Sequence, residues 1–299
     1  MATKDFVLGL SLSDRTIQAV ELEQDGPSNT LLAIDEWENT FPLGGVDDPK
    51  GVGRFSEYLA AFLKVNRVRA RKTSVALDSA TLFINSFPLE EGLSRPEINE
   101  HINWELSQFF PDAPPKQYVT DIHVIAREDQ EHWNQVLSVS VQRRDAFAVQ
   151  EALARHGLEL LILDVDHFSA DTALRTNYPD VERKYMALVG VKENRLDISL
   201  LRNGVMQAYS YCLVQSNREI VERIGALSRD VPGIHSITVY GPYLEKDLLV
   251  LIRRGSALLV EALNPLRHIN VLDSLRLADH LSVPSYRFAS AVGVALRRD

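Results

Sequence analysis

Tyr185-Met-Ala-Leu-Val-Gly-Val191, Leu196-Asp-Ile-Ser-Leu-Leu201, Arg202-Asn-Gly204 and Val205-Met-Gln-Ala-Tyr-Ser-Tyr-Cys212 together decide the fold. The first run is an apolar strand. The next two runs are strands joined by Asn-Gly, a pair that supplies the positive φ values of a tight hairpin. Asn217 to Arg229 then carries Ile220, Val221, Ile224 and Leu227 on one side of a helix. Ser236 to Tyr240 closes the unit as a further strand. The order is strand, strand, strand, helix, strand.

The same order stands at the start of the chain. Phe6 to Leu10, Thr16 to Leu22 and Thr30 to Glu38 read as strands, separated by Ser11-Leu-Ser-Asp-Arg15 and Gln24-Asp-Gly-Pro-Ser28. Val52 to Val65 places Phe55, Leu59, Phe62 and Leu63 on one helical face, and Thr73 to Leu77 is the closing strand. A βββαβ unit therefore occurs twice, over residues 1–80 and 185–299, in an α/β chain. Residues 158–184 complete the first unit with a strand, Leu158 to Val165, and a helix, Phe168 to Tyr178, that ends before Pro179.

Residues 81–157 lie between the copies as an α+β insertion. Phe83 to Leu89 reads as a strand. Ser94-Arg-Pro-Glu97 starts a helix with a capping box and an early proline, and Pro111 stops it. Val119 to Ile125 and Gln135 to Val141 alternate like paired strands, and Arg143 to His156 is a helix stopped by Gly157. Trp104, Phe109 and Phe110 read as core residues. Near the chain's end, Ser285 to Leu296 has the small apolar residues of a packed helix.

The chain has 299 residues and a formal net charge of -9. That acidity argues against a nucleic-acid partner, which calls for a clustered basic footprint. Arg67, Arg69, Arg71 and Lys72, with Arg297 and Arg298, read as solvated surface. The single cysteine, Cys212, excludes an internal disulfide and reads as a small core residue. No apolar run reaches the ~18 residues of a membrane helix, and the first residues lack a signal-peptide pattern. A cytoplasmic protein is expected, held at the inner membrane through a partner and not by insertion.

The duplicated unit resembles the actin, sugar kinase and heat-shock chaperone superfamily, in which two ribonuclease H-like units face each other across a cleft. The insertion resembles the extra subdomain of the FtsA and PilM branch. Local strings are similar to the type IV pilus assembly PilM family. They are Gly9-Leu-Ser-Leu-Ser-Asp-Arg-Thr-Ile-Gln-Ala-Val-Glu-Leu22, Ser86-Phe-Pro-Leu89, Glu97 to Leu106, Val136 to Val141, Gly157-Leu-Glu-Leu160, Leu163-Asp-Val-Asp-His-Phe168, Asn264-Pro-Leu266 and Ala291 to Leu296. The cytoplasmic domain of the type II secretion protein GspL is a related alternative.

The resemblance implies a nucleotide in the cleft, approached by one hairpin loop from each unit. Such loops need glycine, so that backbone N–H groups can reach a phosphate, and a carboxylate to hold magnesium. Here Ser11 stands at the expected Asp position, Ser13 at the Gly and Gln18 at the Lys. Asp14 and Arg15 replace small residues. Gly190 takes the second Asp position, and Lys192-Glu-Asn-Arg195 has no glycine. The later double glycine is Gln215-Ser216, and the adenosine-side pair is reduced to Gly241-Pro242. The expectation is a vestigial site with no catalytic residues, no metal and no required cofactor, and with weak ATP or ADP binding left open. Asp164, Asp166 and His167 look like a ligand cluster, but the preferred reading is a polar strand end that caps the next helix.

Three functions compete on these residues. The first is a scaffold. The resemblance implies an adaptor that grips the N-terminal cytoplasmic tail of an inner-membrane partner of the PilN type. The tail would lie in a groove between the first unit and the insertion, with Phe83, Phe87 and Trp104 as candidate contacts. The second is a nucleotide-dependent switch that closes the cleft. The third is a small-molecule kinase, which would need a catalytic base and a magnesium site that the sequence does not offer. Self-association and the choice between pilus and secretion machinery stay open at this level.

Overall fold

The computed structural model describes residues 4–43, 48–125, 133–276 and 283–298. The first unit contains β1 (Asp5–Leu12), β2 (Thr16–Asp25), β3 (Ser28–Glu38), α1 (Pro49–Val65) and β4 (Lys72–Leu77). The insertion contains β5 (Phe83–Glu90), α2 (Arg95–Phe109), β6 (Tyr118–Ile125), β7 (Trp133–Gln142) and α3 (Arg143–Ala154). β8 (Glu159–Val165) and α4 (Asp166–Asn177) lead to the second unit, which has β9 (Tyr185–Val191), β10 (Arg195–Arg202), β11 (Val205–Leu213), α5 (Asn217–Asp230) and β12 (Ser236–Tyr240). Then come α6 (Lys246–Gly255), β13 (Leu259–Ala262), β14 (Asn270–Val271), α7 (Asp273–Arg276) and α8 (Ala289–Leu296).

Three sheets form among the described residues, in the orders β14-β3-β2-β1-β4-β8, β11-β10-β9-β12-β13 and β5-β7-β6. The first two share one plan. A meander runs antiparallel, and the strand after the helix joins the first strand of the meander in parallel, β4 beside β1 and β12 beside β9. The duplicated βββαβ unit is therefore present in both lobes, as expected. At the insertion helix the expected capping box forms, with Ser94 N donating to Glu97 Oε2 at 2.8 Å.

The division at residue 185 needs a correction. β14 pairs in parallel with β3 of the first sheet, and α8 packs against β1, β2 and β4. The last part of the chain therefore returns to the first lobe. Its composition explains why. Ala291, Val292, Ala295 and Leu296 cluster with Val7, Val20 and Leu22 of the first sheet, while Ala289 joins the second-lobe core with Ala170 and Leu174 of α4. α4 and α8 thus form a helical layer between the two main sheets. Their approach is so close that a Cβ on Gly293 would lie 1.7 Å from the Ser169 carbonyl oxygen, so only glycine fits there.

The small sheet of the insertion has two different faces. Because side chains alternate along a strand, Phe83, Phe87 and Leu89 of β5 fall on one face with Val136. That face is covered by Ile102 and Leu106 of α2. Leu137, Val139 and Val141 point the other way, toward β8 and α4.

Candidate functional site

Two places between elements concentrate polar or open surface. The first is the interface of the two lobes, where five chain segments meet. Asp78 follows β4 directly, and its side chain caps a 3-10 turn at Ser79–Thr81. α4 begins at Asp166, β9 ends in the loop that carries Lys192, and β10 contributes Arg195 and Asp197. β11 adds Tyr209.

Lys192 lies at the centre, with only 6% of its side chain exposed. Its Nζ is 2.5 Å from Asp78, 2.7 Å from Asp166 and 3.2 Å from Asp197. It also donates to Ser79 Oγ at 2.6 Å, and that hydroxyl donates to Asp197 Oδ2 at 2.7 Å. Asp78 and Asp166 belong to the first lobe, and Lys192 and Asp197 to the second. The ammonium therefore ties the lobes together. Ser79 N and His167 N both donate to Asp166 Oδ1. Arg195 Nε and Tyr209 OH donate to Asp197 Oδ1, at 2.9 and 2.6 Å.

Three carboxylates face two cations in this cluster, which leaves one negative charge in excess. A buried charge is costly unless it is paired, so one carboxyl must hold a proton more tightly than usual. That group is Asp166, whose pKa burial pushes up to about 7, helped by Asp78 and Asp197 and opposed by Lys192. Asp197 goes the other way. Burial works against its charge, but Lys192, His167 and Arg195 outweigh it and hold the carboxyl low. Burial would also lower Lys192, but Asp166, Asp197 and Asp78 outweigh it, and the lysine stays fully ionised. His167 is buried beside Tyr240 OH (2.8 Å) and Ser199 Oγ (2.9 Å), and burial lowers its pKa to about 4. It is neutral at ordinary pH.

The sequence-derived nucleotide positions lie in and beside the two hairpin loops and just after β12. Ser11 and Ser13 are buried, and Ser13 Oγ donates to the Thr16 carbonyl within its own hairpin. Gln18 donates to Thr16 Oγ1 and to Glu36 Oε2, which Arg287 also holds. A Cβ at Gly190 would lie 2.7 Å from Tyr240 OH and 3.2 Å from His167 Nδ1, so the residue here makes room for that pair. Gly241 has φ +132°, and a Cβ there would meet the Val191 carbonyl oxygen at 2.3 Å. The two hairpin loops touch each other, through the ion pair of Arg15 with Glu193. Asp14 N also donates to Asp78 Oδ2 at 3.1 Å. Among the described residues no group of three or more His, Cys, Asp or Glu is arranged to hold a metal ion.

Asp164, Asp166 and His167, read from sequence as a capping strand end in preference to a ligand cluster, do not converge on one point. β8 ends at Val165, so the two aspartates leave it in different directions. Asp164 pairs with Arg297 at 2.7 Å and accepts from Ser169 Oγ, while Asp166 enters the lobe interface. Lys192, Asp78, Asp197 and Tyr209 were missed as partners. In sequence, Asp197 and Ser199 look like the polar half of an amphipathic strand, yet both are fully buried.

The second place is a groove beneath the insertion, a cavity of about 570 Å³. One wall is the outward face of β6 and β7, including Val119 and Val139. The other is β8 from Leu161 to Val165, together with Phe168, Asp171, Thr172 and Arg175 of α4. β8 and β6 are both end strands of their sheets, so each keeps a backbone edge with no strand beside it among the described residues. Leu161 is 45% exposed. Phe83, Phe87 and Trp104 do not line this groove. Phe83 packs on Phe109 and Phe110, and Phe87 is buried under α2. Trp104 and Phe109 are more than half exposed on α2, contrary to the core reading. Cys212 is half-buried in β11, and burial raises its thiol pKa.

Duplicated βββαβ lobes, paired across an interface with two central helices, define an actin-like fold. Similar solved structures share it. One is a protein with an actin-like ATPase fold and unknown function from Bacteroides thetaiotaomicron (10% identity, 89% of this chain and 93% of that one, TM-score 0.54). Another is the ethanolamine utilization protein EutJ from Carboxydothermus hydrogenoformans (14% identity, 99% and 90%, TM-score 0.51). A third, solved as the PilM-PilN type IV pilus biogenesis complex, aligns over 97% of this chain and 98% of that one, with 19% identity and a TM-score of 0.79. The family model described as type IV pilus assembly protein PilM matches residues 9–211. The chain belongs to that family. Among the described residues no helix is long and apolar enough to cross a membrane.

Proposed function

We propose that the protein is a non-catalytic adaptor of a type IV pilus assembly platform, which docks the cytoplasmic N-terminal tail of an inner-membrane protein of the PilN type. The observation that carries this reading is the groove with two strand edges that have no strand beside them among the described residues. An extended tail can add to such an edge through its main chain and place alternate side chains against Leu161 and Val119. The proposed contacts thus move from Phe83, Phe87 and Trp104 to the opposite face of the same small sheet. The similar PilM-PilN structure supports a partner of this kind.

The adaptor works without nucleotide. A metal-bound triphosphate would have to displace the Lys192 network and separate two loops that Arg15 and Glu193 join. It would also meet a lysine ammonium where a metal needs the carboxylates. These residues do not fit that group, and no hydrolytic step is assigned to them.

Titration calorimetry tests the docking. The probe is a synthetic peptide of the N-terminal cytoplasmic residues of the PilN-type protein encoded by the same organism. The wild-type chain should bind it, Leu161→Glu should not, and Trp104→Ala should bind as the wild type does. Equal loss at Leu161 and Trp104, or no binding by the wild type, would overturn the assignment.

A further inference from the structure

The lobe interface and the groove share one helix. Asp166 opens α4 and receives the Lys192 ammonium, while Phe168, Asp171, Thr172 and Arg175 of the same helix line the groove. β8, the strand just before it, supplies the groove's free edge. A change at the start of α4 therefore reaches the groove within a few residues, through one rigid element.

The electrostatics of that helix start depend on a single group. Arg195 compensates Asp197 at 2.9 Å. Apart from that pair, Asp78 and Asp166 of the first lobe share Lys192. Its three N–H bonds are directed to Asp78 Oδ1, Ser79 Oγ and Asp166 Oδ2. Without the ammonium, two buried carboxyls would face each other and Asp197 across a lobe boundary. They would part, take up protons or draw in water, and each outcome moves the start of α4.

Resting on the docking reading above, we infer that Lys192 is a positioning residue for partner docking. Its tethered ammonium fills the space between the lobes and bonds to carboxylates of both. The chain thus supplies its own bridging cation, and α4 is set for docking with no soluble cofactor. The groove is then constitutive: the partner meets a surface whose form does not follow the nucleotide pool.

The experiment uses the full chain and the same tail peptide. Lys192→Ala should stay folded by circular dichroism and weaken peptide binding by about ten-fold, within the usual range of coupling between sites. Added n-propylammonium should restore affinity in Lys192→Ala, because the cation can enter the space the side chain left. It should not restore Lys192→Met, whose side chain occupies that space. A merely structural role would not respond to the amine in this selective way. Should Lys192→Ala fail to fold, the triple variant Lys192→Met, Asp78→Asn, Asp166→Asn keeps the Asp197–Arg195 pair and removes the excess charge. It should bind the peptide about ten-fold more weakly and exchange the α4 amides faster. If the wild type does not bind the peptide, the docking reading fails. If the wild type binds and the variants bind equally well, docking stands and the positioning role of Lys192 is overturned.

Discussion

The lobe interface and the groove under the insertion are two gaps that share helix α4, yet they are built in opposite ways. The interface is closed by charge. Lys192, Arg195 and three aspartates are buried and mutually bonded, and the loops that would flank a ligand bond to each other. The groove is open, lined by apolar and polar side chains together, and flanked by two strand edges with no strand beside them among the described residues. One gap satisfies its own polar groups, and the other leaves them for a partner. Polar residues at a site are therefore no sign of ligand binding when the chain already supplies each partner.

The contrast is sharpest in stability. Lys192→Met removes one member of a buried ionic cluster and should lower unfolding free energy by about 3–5 kcal/mol, because the carboxylates left behind are uncompensated. Denaturant unfolding measures it. Leu161→Glu in the groove should stay within about 0.5 kcal/mol of the wild type, since it alters an exposed position, although it removes peptide binding. A similar loss at both sites would mean that the groove is part of the core.

Gly190→Ala probes the interface by shape instead of charge. The new Cβ would crowd the Tyr240 hydroxyl and the His167 ring. Overpacking of this kind costs about 1–3 kcal/mol. Ala at Gly26, in the β2–β3 hairpin away from the interface, would meet nothing within 4 Å, but its φ of +57° makes that change a matter of backbone strain alone. Melting curves of the two variants separate packing from strain.

These contrasts were unevenly legible in the sequence. The two βββαβ units were readable because each rests on local signals: alternation, an Asn-Gly turn at Arg202-Asn-Gly204, helical spacing in α1 and α5. The eroded first loop was readable as a departure from a family pattern. The ionic cluster was not. Asp78 and Lys192 are far apart in the chain, and no local rule joins them. Asp197 and Ser199 follow an ordinary amphipathic alternation, whose polar half turns inward here because α4 covers it. The return of β14 and α8 to the first lobe was hidden for a similar reason, since a short strand and an alanine-rich helix fit either lobe. The candidate contacts Phe83 and Phe87 lie on the face of β5 that α2 covers, and the groove lies on the other face of that sheet. Strand parity is exact, and choosing among Phe83, Phe87 and their neighbours required knowing that α2 covers the odd positions.

pH separates the two buried titrating groups of the interface. The folded-state pKa of Asp166 is raised from 3.8 to about 7. The stability linked to its proton is complete below the unfolded value and lost as pH rises through 7. His167 is lowered from 6.5 to about 4. Its contribution is present above 6.5 and lost as pH falls through 4. Between these limits the two slopes oppose each other, so the wild type should be nearly flat across that window. Asp166→Asn should unmask the histidine and make stability rise with pH, by at most about 1.4 kcal/mol per unit. His167→Gln should give the opposite slope. Parallel pH curves for both variants would show that the groups do not titrate as assigned.

The smallest expected effect is at Trp104. This residue was a candidate for partner contact, and it is exposed on α2, with its ring beside His101. It stands on the helix that covers the far side of the insertion's sheet, while the groove lies on the near side. Trp104→Ala should change stability by about 0.5 kcal/mol or less and leave tail-peptide affinity as it is. Two exposed aromatic rings, Trp104 and Phe109, on one helix are still an uncommon surface. A fall in affinity at Trp104 with none at Leu161 would place the tail across α2, and the edges of β6 and β8 would then need another explanation.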